Sequence, residues 1–515
     1  MLAIAHSAVL VGIAPHPVRV EVQASRGVPS FELVGLAEAA VRESRVRVKA
    51  ALAGVGVDIS EYRLTVNLAP ADLKKRGSAF DLAIAVATLA SLRILREDAP
   101  ADILFLGELS LDGGIHPLRG VVAHLLGARD RGVGRAIVPR GNEKEAALVD
   151  GIHVATAGTL AEVLAALRGE TELRRAAPRS EKARGASLRV HVDDLVDVRG
   201  QSAGRRALEV AAAGAHNLLF IGPAGAGKTM LARRLPGILP PLTAPEALEV
   251  LALHSVAGIA SAEAFERRPF RAPHHTASDV ALVGGGELTR PGEVSLAHHG
   301  VLFLDELSEF RRTTLEALRQ PLEDGVVTIA RAHASVTFPA RPMLVAATNP
   351  CPCGRYTERA STCSCSADVR RTYRGRISGP ILDRIDLHVV LPPVDVLALQ
   401  GATAGEGSAE VRRRVESARE AQRERRRSGD VSVTVNAHLA QRELARVCAL
   451  DRVGTSVLAQ AVDKYGLSAR AYGKVLRVAR TLADLEGTTA IASTHVAEAV
   501  AARVLDREGA VRDAA

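Results

Sequence analysis

The residues GPAGAGKT (222–229) set three glycines, a lysine and a threonine in the spacing G-x-x-x-x-G-K-T. Glycines at those positions let backbone N–H groups turn inward around an anion. A helix starting at the lysine adds the positive potential of its N-terminus. Gly222, Pro223, Ala224, Gly225, Ala226 and Gly227 then form a phosphate cradle. Lys228 reaches the β- and γ-phosphates, and the Thr229 hydroxyl ligates Mg2+. The cofactors implied are ATP and Mg2+. VLFLDEL (301–307) supplies a second element. Its apolar residues read as a buried strand, and Asp305 emerges at the C-terminal end, where parallel sheets bind ligands. Asp305 is expected to hold Mg2+ through water, and Glu306 to polarise an attacking water. An acid directly after the metal-binding Asp points to hydrolysis and away from phosphate transfer to a second substrate. Asn349 closes the next apolar stretch, MLVAATN (343–349), where an amide can orient the water or sense the γ-phosphate.

Two arginines could complete such a site. Arg384 lies in GPILDRIDL (379–387), with Asp383 and Asp386 beside it, and Arg470 lies in LSARAYGKVL (467–476). Each has a plainer reading, a local ion pair for Arg384 and a solvated helix start for Arg470. In the catalytic reading Arg470 touches the nucleotide of its own subunit. Arg384 reaches the neighbour's, stabilising transition-state charge in trans, which demands a ring of subunits. Cys351, Cys353, Cys363 and Cys365 follow Asn349 in the pattern C-x-C-x9-C-x-C. Four thiolates can close a tetrahedral Zn2+ site. The alternative is reduced, unligated thiols, since a reducing compartment disfavours disulfides. Cys448 reads as a buried apolar residue.

The elements that must hold these residues follow from pattern. NLLFI (217–221) is a strand leading into the glycine-rich turn, and TMLARRLPGIL (229–239) is the helix leaving it. Strands that are apolar throughout, as here, belong to a parallel sheet covered on both faces. Residues 1–170 mix alternating strands (VRVEVQA, YRLTVNLA) with buried helices (FDLAIAVATLASL, RGVVAHLLGARDRG), an α+β block. Residues 171–189 are polar and basic and read as a linker. Residues 190–396 form the nucleotide-binding α/β core. Residues 397–430 join a flexible stretch, GATAGEGSAE (401–410), to a charged helix that reads as a solvated connector or a nucleic-acid stripe. Residues 431–515 read as a helical bundle, giving a multidomain α/β protein.

Composition limits the function classes. At 515 residues the chain allows two to four domains, and 47% hydrophobic with 24% charged residues is a folded composition. A net charge of +8 is mild for this length and suggests an anionic partner. With no Trp and 3% aromatics, the composition argues against recognition by rows of stacked rings. The apolar start, MLAIAHSAVLVGIAPHPVRV, lacks a basic leading region, and no run of eighteen apolar residues occurs. The expectation is a cytoplasmic enzyme with no membrane partner.

RPFRAPHHTASDVALVGGGELTRPGEVSLAHHGVLFLDELSEF (268–310) and RGRISGPILDRIDLHVVLPP (374–393) closely resemble the ComM/YifB family of magnesium-chelatase-like AAA+ ATPases. The resemblance covers essentially the whole chain. It implies a homo-hexameric ring that threads DNA, branched or single-stranded, as a branch-migration helicase in natural transformation. Within it, SDVALVGGGELTRPGE (278–293) and GVVTIARAHASVTFPAR (325–341) resemble pore loops. The second reads as a hairpin with Arg331 and His333 near its tip, gripping phosphates or merely solvated. The first block resembles a Lon-protease-like domain, but Ala79 stands at the nucleophile position and Val122 at the lysine position. That departure implies a non-catalytic platform and disfavours a protease or unfoldase. The same block disfavours the other alternative, a chelatase motor, whose subunits are expected to resemble only the later part of the chain.

Overall fold

The computed structural model describes residues 2–36, 38–75, 77–177, 193–286, 289–331, 334–356, 362–394 and 405–505. The first block is built on one mixed sheet. In chain order its strands are β1 (Leu2–Val11), β2 (Ala14–Arg26), β3 (Ser30–Val34), β4 (Tyr62–Ala69) and β5 (Ile103–Phe105). After a small separate hairpin, β6 (Glu108–Leu109) and β7 (Ile115–His116), come β8 (Arg135–Pro139), β9 (His153–Ala157) and β10 (Arg174–Arg175). The spatial order is β10-β9-β8-β5-β1-β2-β4-β3. The expected helix after Lys75 is Asp81–Ser91, and every one of its residues is buried against β1 and β2. Strand β10 pairs antiparallel with β9, so the expected linker at 171–189 begins with an ordered sheet edge; residues 178–189 lie outside the described residues.

The second block holds a five-stranded parallel sheet of β11 (Leu218–Ile221), β12 (Phe270–Arg271), β15 (Val301–Leu304), β18 (Met343–Thr348) and β19 (Leu387–Val390), in the order β12-β15-β18-β11-β19. Its three central strands are buried along their whole length, as their uniformly apolar sequences require. Two insertions leave this sheet. One carries the helix Asp279–Val283 and the short strands β13 (Gly284–Gly285) and β14 (Arg290–Pro291). The other is the hairpin of β16 (Val326–Arg331) and β17 (Ala334–Pro339), paired from Val326↔Pro339 to Arg331↔Ala334. His333 at its turn lies outside the described residues.

The charged helix, Ser408–Arg427, is not the solvated connector that its sequence suggested. It packs against the helices Ser202–Gly214, Lys228–Ile238 and Ala469–Leu485, burying Val411, Val415, Ala418 and Gln422. Two of its arginines and Gln422 cap carbonyls at the C-terminal ends of neighbouring helices. Arg412 Nε donates to Gly237 O (2.9 Å), Arg419 Nη2 to Ala212 O (2.7 Å), and Gln422 Nε2 to Ala213 O (2.9 Å). Arg425 pairs with buried Asp484. The helices Gln441–Val447, Arg452–Tyr465, Ala469–Leu485 and Ser493–Ala501 share one apolar core with the sheet, joining Phe220 and Val345 to Val475 and Leu482. The C-terminal helices are therefore continuous with the nucleotide-binding core.

The first block is docked onto the second. Val121, Val122 and Leu125 of the helix Val121–Asp130 pack with Val250 and Leu251 of the helix Ala244–Ala257. Gly120 N donates to Ser255 O (3.0 Å), and Ser255 Oγ donates to Glu145 (2.7 Å). Val122, at the position where a protease would need its lysine, is thus sealed inside an interdomain core. A second contact joins the β1–β2 turn to the hairpin base. Val11 and Ile13 pack with Leu253, Val336 and Phe338, and a Cβ on Gly12 (φ +67°) would lie 2.8 Å from Val336 Cγ1.

Candidate nucleotide site

Gly225 and Gly227 adopt φ of +78° and +84°, a region that strains any residue with a Cβ. This turns the chain from the C-terminal end of β11 into the helix beginning at Lys228. Lys228 Nζ donates to Gly222 O (2.6 Å), Pro223 O (2.9 Å) and Asn349 Oδ1 (3.0 Å). Burial pulls its pKa down, while Asp305 and Glu306 oppose that shift. Thr229 Oγ1 donates to Asp305 Oδ2 (2.6 Å), so hydroxyl and carboxylate meet where a hard cation would take both. Glu306, at φ +52°, donates its backbone N–H to Asp305 Oδ1 (3.0 Å), and its side chain is half-exposed. Ser308 and Thr348 share a buried hydroxyl contact of 2.7 Å that ties the segment after Glu306 to the strand ending at Asn349. The donor set therefore fits a triphosphate with its cation. Lys228 can exchange its oxygen partners for an anion, Thr229 and Asp305 offer oxygen to a metal, and Glu306 is open to water.

Two residues at this site escaped the sequence reading. His275 Nδ1 lies 3.2 Å from Glu306 Oε2, and its ring stands edge-on to Phe310 at 6.4 Å. Pairing of β12 with β15 (Phe270↔Val301) brings it there. Gln201 Nε2 donates to Ala226 O (3.1 Å) and Pro392 O (2.8 Å), pinning the phosphate loop to the segment after β19.

Arg384 and Arg470 lie elsewhere, at the N-terminal end of β19. Arg384 O accepts from Asn217 Nδ2 (2.9 Å), just ahead of β11, whereas the phosphate loop leaves the other end of that strand. Its side chain, 12% exposed, pairs with Glu323 and not with the adjacent aspartates. Asp383 instead meets Arg470 (3.3 Å), whose side chain is 68% exposed. Asp386 binds Lys474 (3.2 Å) and His216 (3.5 Å); burial would raise its pKa, but these partners hold it below the usual carboxylate range.

The four clustered cysteines converge. Cys351 Sγ lies 3.3 Å from Cys353 Sγ and 3.6 Å from Cys363 Sγ, and all four sulfurs fall within 4.8 Å of one another. A second convergence, Glu249 with His298 and His299, has a different chemistry. His298 Nδ1 accepts from Arg341 N (3.1 Å), so the proton sits on Nε2, which donates to Glu249 Oε2 (2.9 Å). A ring using both nitrogens this way offers a metal no lone pair. The His298 bond, with help from His299, holds Glu249 down to a pKa of about 2.

Comparison with known proteins bears on the whole chain. Residues 194–399 match the family described as magnesium chelatase, subunit ChlI, and residues 405–503 match its C-terminal part. Residues 20–142 match the family described as subunit ChlI of Mg-chelatase. A chelatase-type model thus reaches the first block as well, so that block does not by itself set the chain apart from chelatase subunits. The competence protein ComM of Haemophilus influenzae is 44% identical over 508 residues, 98% of each chain. The YifB protein of Escherichia coli K12 is 42% identical over 509 residues, again 98% of each.

Proposed function

The chain belongs to the ComM/YifB family of magnesium-chelatase-like proteins, and from that premise we propose that it is an ATP-hydrolysing, ring-forming motor that acts on DNA as a branch-migration helicase. The observation that carries the ATPase reading is the meeting of Lys228, Thr229, Asp305 and Asn349 at the C-terminal ends of parallel strands. Thr229 and Asp305 would hold Mg2+, which would offset charge on the phosphates of ATP in the loop, while Glu306 takes a proton from the water that attacks the γ-phosphate as the bond to ADP breaks. Binding to DNA rests on the family relation, on the basic balance of the chain and on the hairpin of β16 and β17.

Strand direction bears on the two arginines. In a single subunit both stand at the end of the sheet opposite the phosphate loop. They act on a neighbour's nucleotide, Arg470 included, which revises the expectation that Arg470 serves its own subunit. Arg470 is already open to a partner, while Arg384 must first exchange its bond to Glu323. The active form is a homo-hexamer.

The test is ATP hydrolysis with and without branched and single-stranded DNA across a salt series. Stimulation should be strong at low salt and fade as salt rises, because counterions compete for the phosphates. An assembled ring showing no stimulation at low salt points instead to a protein-remodelling or chelatase-type motor.

A further inference from the structure

The cysteine cluster adjoins the phosphate loop, and the two are bonded. Asn349, whose amide oxygen accepts from Lys228, is followed by Pro350 and then Cys351, which is fully buried. The chain turns back at Gly354 (φ +69°), whose N–H donates to Cys351 O (3.0 Å). Gly354 O accepts from Ala224 N–H of the phosphate loop (3.1 Å). A Cβ on Gly354 would lie 3.6 Å from Ala224 Cβ and 3.8 Å from Asn349 Cγ, so this turn rests on both.

The four sulfurs stand close enough for one ion to bind them all. A Zn–S bond of about 2.3 Å sets sulfurs about 3.8 Å apart. The separations among Cys351, Cys353 and Cys363 are 3.3, 3.5 and 3.6 Å, far longer than a disulfide. Cys365 N–H donates to Cys363 Sγ (3.4 Å), the kind of bond that orients a ligating thiolate. Arg370 closes the far side, donating to Cys365 O (2.7 Å) and stacking over Tyr356 at 4.4 Å.

We propose that Cys351, Cys353, Cys363 and Cys365 bind one zinc ion, and that the closed knuckle clamps the phosphate loop through Gly354, so that nucleotide affinity depends on metal loading. The clamp rests on the ATP reading of the loop; the metal site does not. A soft all-thiolate set selects zinc over the hard Mg2+ that Thr229 and Asp305 would hold, so one subunit carries two metals of unlike chemistry.

The full-length protein, purified without chelator, is assayed for metal and titrated with a fluorescent ATP analogue. The same is done after stripping with a thiol-reactive mercurial followed by dithiothreitol and chelator, and after adding zinc back. The expected result is about one zinc per chain. Stripping should weaken nucleotide binding roughly five- to tenfold, the worth of one loop hydrogen bond, with recovery on zinc and not on magnesium. Cobalt in place of zinc should give the absorption of a tetrahedral thiolate site. Cys353→Ser, at the exposed ligand, should reproduce the stripped affinity; if it fails to fold, stripping and add-back of the natural protein still decide. Folded, nucleotide-binding protein with almost no zinc overturns the site. Zinc present with affinity unchanged on stripping overturns the clamp. Zinc present with no nucleotide binding under any condition removes the ATPase reading and the clamp with it, and leaves the metal site standing.

Discussion

Replacing Glu306 with Gln separates chemistry from binding at the nucleotide site. The substitution keeps the shape of the side chain, and with it the contact to His275, but removes the base. A positioned general base contributes about 10²–10⁴ in rate, so the barrier should rise by about 3–5 kcal/mol and turnover should fall by that factor. Affinity should behave differently. Glu306 makes no hydrogen bond to Lys228 or Thr229, whose partners are loop carbonyls, Asn349 and Asp305. It adds only a negative charge near Lys228, which would repel a γ-phosphate. Removing that charge leaves ATP binding equal or somewhat tighter. Single-turnover hydrolysis and equilibrium titration with a labelled nucleotide measure the two quantities. Turnover within about threefold of the natural protein would show that another group activates the water.

Arg384→Ala and Lys228→Ala should each bind or assemble without hydrolysing ATP, and mixing them should restore part of the activity. In mixed rings a Lys228→Ala subunit lends its Arg384 to an intact phosphate loop; normal hydrolysis by Arg384→Ala alone would remove the arginine from the mechanism. Burial, with Arg131 nearby, lowers the His124 pKa to about 4, against about 6.5 in an unfolded chain. Between those values the unfolded chain carries a proton that the folded one lacks, so stability is complete above pH 6.5 and drops by about 3 kcal/mol by pH 4. Denaturant titrations at pH 7.5 and 5 should show a smaller loss for His124→Leu than for the natural protein; equal losses would refute this. Ser255→Ala takes the interdomain hydrogen bond from Glu145, whose pKa burial already raises, and should cost about 1–3 kcal/mol in the melting of the natural protein. An unchanged melt would show that the Ser255 hydroxyl contributes nothing to the docking.

The phosphate loop, Asp305 and Asn349 were legible in the sequence because each sits at the end of an apolar strand, so chain position and spatial position coincide. His275 and Gln201 were not. Strand pairing in one case and a loop crossing in the other bring them to the site, and neither leaves a local pattern. The charged helix misled for a different reason. A guanidinium capping a buried carbonyl and one waving in water are the same letter, and only packing tells that Arg419 belongs to the first kind. Arg470 shows the limit of carrying a role by motif: its place opposite the phosphate loop follows from the direction of β19, which emerges only when the sheet is assembled.

The wedge of Val11, Gly12 and Ile13 against the hairpin base sets a mechanical limit. Val336 and Phe338 are held there, and beyond them the paired strands extend only through Ala330↔Ser335 and Arg331↔Ala334 before the turn. Two residues of strand reach about 7 Å, or roughly two nucleotide rises along one strand. A finger that short has little stroke of its own. In the DNA motor proposed above, any longer power stroke must carry this anchorage along, so the amino-terminal sheet would travel with the hairpin as ballast and crank together.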